Sequence, residues 1–86
     1  MQSDDLKTII TGAQIRAARA LLGWSAAELA KAAVVGVATV RRAESVDAAP
    51  SMTAANNIAI RRRLEAAGVQ FIPQNGGGPG VRLKKG

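Results

Sequence analysis

The chain has no cysteine and no histidine, and its only aromatic residues in 86 positions are Trp24 and Phe71. Without cysteine there are no disulfides and no thiolate metal sites, a pattern that fits a reducing cytoplasm. Without either residue, nucleophilic and general-base chemistry lose their commonest side chains. The acids offer no replacement. Asp4 and Asp5 are adjacent near the start, and Glu28 falls where it caps a helix. The Gly76-Gly-Gly78 cluster lacks the strand-then-helix setting and the Lys-Ser/Thr of a phosphate loop, so it reads as a turn. No enzyme, cofactor or bound metal is expected. Long apolar runs are absent as well: the longest, Ala32 to Val40, falls far short of the roughly 20 residues that span a bilayer. The start, Met1-Gln-Ser-Asp-Asp-Leu6, is acidic, not basic and then apolar as in a signal peptide. A cytoplasmic chain with no membrane partner is the expectation.

What remains is small, aliphatic and basic. Hydrophobic residues make up 48% of the chain, enough to fold, but most are Ala and Val. Such a core is thin, and its stability is modest or shared with a partner chain. Twelve Lys and Arg against six Asp and Glu give a net charge of +6, which favours a polyanion as partner.

Punctuation along the chain predicts four helices and a hairpin. Residues 1–10 show no period and read as a lead-in. Thr11-Gly-Ala-Gln14 is a capping box opening a helix over about 12–22, with Ile15, Ala18, Arg19 and Leu22 on one face and Gly23 as its stop. Trp24 falls between helices as a packing residue. Ser25-Ala-Ala-Glu28 is a second capping box, for a helix with Leu29, Ala30 and Ala33 inward. After a break at Val34 to Gly36, residues 37–44 form a third helix. Val40 and one of Ala43 or Glu44 face in, while Val37, Ala38, Arg41 and Arg42 face out. A loop over Ser45 to Pro50 leads to a longer helix, about Ser51 to Ala67, stopped by Gly68. Val69 to Ile72 and Val81 to Lys84 alternate like strands around a Gly/Pro turn and predict a β-hairpin, which needs a helix or another subunit against it.

Two short helices with a tight break, the second carrying arginines outward, are the pattern of a helix-turn-helix. The residues that carry it are Gln14-Ile-Arg-x-x-Arg19, Leu22-Gly-Trp-Ser25, Glu28-Leu-Ala30, Val35-x-Val-Ala-Thr-Val40 and Glu44. Over about residues 11–67 the chain resembles the Cro/cI-type, or XRE, regulators, and its tail resembles that of a small single-domain bacterial subgroup. The resemblance implies a mainly α, four-helix Cro/cI repressor-like bundle with the hairpin appended. Its parts are a lead-in (1–10), a DNA-binding domain (11–68) and a tail (69–86). It also implies a homodimer that represses at palindromic operators on double-stranded DNA, often its own promoter. An ion pair between Arg19 and Glu44 belongs to the same resemblance. The chain departs from the family at three positions: Ala26 where Gln is usual, Val34 where Gly is usual, and Gly36 where Ser or Thr caps the third helix.

On this reading Arg42 reads guanine O6 and N7, and Arg41 takes a base edge or a phosphate. Val37 and Ala38 pack on thymine methyls. Thr39, Lys31 and Ser25 meet phosphates, with a plain surface lysine and a plain cap as the alternatives for the last two. The three side chains of Arg61-Arg-Arg63 cannot share one helix face. They divide between backbone contacts and covering apolar surface, or form a solvated face. Arg82, Lys84 and Lys85 add general attraction or guard a strand edge. Val69, Phe71 and Ile72 are the candidate dimer interface. The rival reading is a helix-turn-helix that binds another regulatory protein, as an antiactivator or antitoxin.

Overall fold

The structure is a computed structural model and describes residues 9–73 and 76–84. It contains α1 (Gly12–Leu22), α2 (Ala26–Ala33), α3 (Val37–Glu44) and α4 (Ala54–Ala66), followed by strands β1 (Val69–Ile72) and β2 (Gly80–Leu83). The fold is mainly α: the described residues form four helices and a two-stranded antiparallel hairpin in which Val69 lies opposite Leu83 and Phe71 opposite Val81.

Each helix begins and ends for a local reason. Thr11 Oγ1 accepts from the Gln14 amide at 3.1 Å, and Gln14 Oε1 accepts from the Thr11 amide at 2.9 Å. Ser25 and Glu28 repeat the exchange at 3.0 and 2.7 Å. Both boxes satisfy amides that a helix start leaves without intrahelical partners. Thr53 caps α4 by accepting from the Asn56 amide at 3.1 Å. Gly23, at φ 70°, ends α1 and lets the Trp24 amide reach back to Arg19 O at 3.0 Å. Val34 ends α2 in the same manner at φ 58°, with the Val35 amide on Ala30 O at 3.0 Å. It is the one non-glycine residue at positive φ among the described residues.

The core runs through all four helices and into the hairpin. Ile15 and Ala18 of α1, Leu29 of α2, Val40 and Ala43 of α3, and Ile60 and Leu64 of α4 are all buried. Two residues outside the expected DNA-binding span join them. Ile10 is 2% exposed and Val69 1%. Ile10, the last residue of the expected lead-in, thus packs in the bundle, and Val69, a candidate interface residue, packs in the core of its own chain. The lead-in as far as residue 8, and Lys85, lie outside the described residues.

Two buried amides hold the ends of the chain in place. Asn57 of α4 donates from Nδ2 to Ile10 O and accepts at Oδ1 from the Ile10 amide, both at 3.0 Å. Gln14 donates from Nε2 to Gly80 O at 3.0 Å and to Ile72 O at 3.4 Å. Burying an amide without partners is costly, so such a pattern favours one arrangement of the hairpin against α1.

Candidate nucleic-acid interface

The candidate surface is the outer side of α3. An eight-residue helix with Val40 and Ala43 turned inward has to present the intervening residues elsewhere. Ala38, Arg41 and Arg42 are exposed. Val37 and Thr39 are half-buried, and Val37 packs against the core. Val37 is therefore only partly on the outer face assigned to it by periodicity. At the first turn its side chain leans back toward the preceding turn, where Val35 also meets the core.

The end of α3 is tied to α1. Arg19 forms a two-pronged bond to Glu44, Nε to Oε2 and Nη2 to Oε1, each 2.9 Å, while its Nη1 donates to Trp24 O at 2.8 Å. The Glu44 side chain is 9% exposed and that of Arg19 26%. The hydrogen bond to Glu44 raises the Arg19 pKa above the ordinary arginine value, against the opposing effect of burial. Arg16, one helical turn earlier on α1, donates from Nη1 to Glu44 O and to Val46 O, and its Nη2 pairs with the Asp47 carboxylate. Gly12 and Ala13 donate their amides to Ala48 O at 2.9 Å and Asp47 O at 3.4 Å. Sequence reasoning missed Arg16 and Gly12. The one available signal was the three-residue spacing of Arg16 and Arg19, which puts both guanidinium groups on one side of α1.

The other assigned residues lie on other elements. Ser25 is exposed at the start of α2 with its hydroxyl engaged as a cap, and Lys31 is exposed near the end of the same helix. Ala26 is packed against the core and has no side-chain donor. Within the arginine triplet, Arg61 is 8% exposed and lies 3.9 Å from the Glu65 carboxylate, while Arg62 and Arg63 are exposed. Arg82 and Lys84 are exposed on the hairpin, where Arg82 donates to Gln70 at 2.9 Å. Phe71 and Ile72 are half-buried.

Among the described residues, His, Cys, Asp and Glu form no cluster of three able to hold a metal ion. No described helix is long and apolar enough to cross a membrane. Two short helices, α2 and α3, meet at a three-residue turn, and the second exposes a cationic, otherwise unhindered side; this arrangement defines a helix-turn-helix. The helix-turn-helix family (HTH_3) matches residues 15–68, and the chain belongs to it: it is a Cro/cI-type, XRE, DNA-binding regulator. No curated protein matches the chain.

Proposed function

We propose that the protein is a sequence-specific repressor that acts as a dimer, with residues 37–44 of each subunit in the major groove of a palindromic operator. The observation that carries this reading is the exposed Ala38, Arg41 and Arg42 side of α3, set on a helix whose far end Arg19 grips through Glu44. Arg42 offers its fork to guanine O6 and N7, and Arg41 takes a neighbouring base edge or phosphate. Ala38 and the uncovered part of Val37 meet thymine methyls. Thr39, Lys31 and the backbone around Ser25 meet phosphates, which sets register without reading sequence. Ile72 and the uncovered part of Phe71, which itself packs against the core, are left for a subunit interface, since Val69 is filled into its own core. A promoter-bound role puts the protein in the cytoplasm.

Selecting bound fragments from genomic DNA, then measuring affinity against salt, tests the reading. A steep fall of log affinity with log salt is expected from phosphate neutralisation. Arg42→Ala is expected to cost about 1–3 kcal/mol at one operator position and relax preference there. Equal losses on every sequence would make Arg42 a phosphate clamp. The alternative, docking on another regulatory protein, draws on one observation: Ala26 gives the start of α2 no side chain with which to hold a phosphate. Absence of DNA binding at low salt, with tight capture of a regulator, would favour it.

A further inference from the structure

The segment that leaves α3 is held by backbone acceptors more than by side-chain packing. Five oxygens from residues 44–48 face the first turn and a half of α1: Glu44 O, Val46 O, Asp47 O, one Asp47 carboxylate oxygen and Ala48 O. Their donors are the Gly12 and Ala13 amides, which have no partner inside their own helix, and the Arg16 guanidinium. The negative end of the α3 dipole thus meets the positive end of α1, reinforced by a full charge. Gly12 closes the arrangement. A Cβ there would run into the backbone oxygens of Ala43 and Val46, so α1 and the end of α3 touch backbone to backbone.

We infer that Arg16, seated by the close approach at Gly12 and paired with Asp47, is a positioning residue that sets the angle of α3 and so the protein's discrimination between DNA sequences. The inference rests on the reading that α3 lies in the major groove. Eight residues at 1.5 Å rise make α3 about 12 Å long. A rotation of about 5° at its held end moves the far end by about 1 Å, and recognition geometry tolerates about 0.5 Å. The two partners are well placed to align and poorly placed to stabilise. The Arg16 side chain is 41% exposed and that of Asp47 85%, so their ion pair adds little to folding.

The experiment compares wild type, Arg16→Ala, Arg16→Lys and Asp47→Asn on a selected genomic site and on a scrambled duplex of the same length, across a salt series. Positioning predicts that the ratio of the two affinities falls about tenfold in Arg16→Ala. Melting temperature falls modestly, as Glu44 O and Val46 O lose their donor, while scrambled-DNA affinity and the salt slope should hardly change. Arg16→Lys stays impaired, because one ammonium cannot span Glu44 O, Val46 O and the Asp47 carboxylate together. Asp47→Asn gives the sharpest sign. It makes the protein more basic, so a purely electrostatic role predicts tighter binding to both duplexes, whereas positioning predicts a smaller ratio. An unchanged ratio in Arg16→Ala overturns the inference while leaving groove binding by α3 intact. So does an equal loss on both duplexes with a slope reduced by about one, the mark of a phosphate contact. A wild-type protein that binds neither duplex at low salt overturns groove binding and the inference together.

Discussion

The two ends of α3 are built differently. At its exit, Glu44 is held by two bonds from Arg19, its carbonyl and those of the loop that follows are received by α1, and Gly12 allows backbone contact. At its entrance, Val34 holds a left-handed conformation and Gly36 caps the helix without any side-chain hydrogen bond. Both ends flank the same eight residues, yet only the exit is secured by side-chain hydrogen bonds. The reading side is carried like a beam fixed at one end, with Val37 and Ala38 on the less restrained part. The exit therefore has much to lose by substitution. The entrance has something to gain.

The largest loss is expected from Gly12→Val. The added carbons meet two backbone oxygens that have no rotamer to move away, so α1 and the end of α3 must separate. The expected cost is about 3 kcal/mol, which for a chain of this size lowers the melting temperature by roughly 12–24 °C. Thermal unfolding followed by circular dichroism checks it. A change of only a degree or two would mean that the loop after α3 yields freely and that the exit is not rigid.

Next comes the Arg19–Glu44 pair. Removing either partner strands the other in a partly buried setting, at an expected cost of about 2–3 kcal/mol. The double-mutant cycle should show coupling above about 1 kcal/mol. The sign of its pH dependence follows from Arg19, whose folded pKa is raised. Stability from a raised pKa is complete below the unfolded value and is lost only as pH climbs through the folded one, which lies in strong alkali. On the arginine side, coupling should therefore stay flat across neutral pH. Additive single substitutions would remove this pair from the account of how the exit is fixed.

These two sites also mark what could be read without coordinates. The capping boxes at Thr11/Gln14 and Ser25/Glu28 were legible because both partners lie within one turn, and residue type alone specifies the bond. Arg19 was legible as an inward cation on a helical face. The contacts of Arg16, Gly12, Gln14 and Asn57 were not. Their partners are backbone groups 28 to 66 residues away, and every residue type carries a carbonyl. The same limit applies to Ile10 and Val69, which pack in the core: a short apolar stretch beside a loop has no period that reveals whether its own bundle or a partner buries it. Val34 sat between these cases. The family's usual glycine there left two outcomes open, a strained left-handed valine or a different turn, and the structure has the first, at φ 58°.

At the entrance, Val34→Gly is expected to stabilise. A β-branched residue at positive φ carries about 1–2 kcal/mol of strain. Glycine relieves it and returns part of the gain through its freer unfolded chain. Val34 is 89% exposed, so little packing is lost. A net gain of about 1 kcal/mol corresponds to a melting temperature higher by roughly 4–8 °C. A lower melting temperature would show that the valine side chain makes a compensating contact and that the entrance is better secured than its geometry implies.

Gly36→Ser is the smallest change and the finest probe of the asymmetry. Gly36 already has the extended conformation of a helix cap, φ −69° and ψ 143°, and its carbonyl accepts from the Thr39 amide at 3.0 Å. A Cβ there meets only Thr39 Oγ1 at 3.7 Å, an ordinary contact, so serine enters without displacement. Its hydroxyl then reaches the Thr39 amide as Ser25 reaches Glu28, for a gain of a few tenths of a kcal/mol. Its consequence for recognition is more informative than the gain. If Val37 and Ala38 lie close to bases because the entrance is only loosely held, a firmer cap should slow amide exchange at the start of α3 and alter affinity for the selected site more than for scrambled DNA. Equal changes on both duplexes would mean that the exit alone already fixes where the reading side sits.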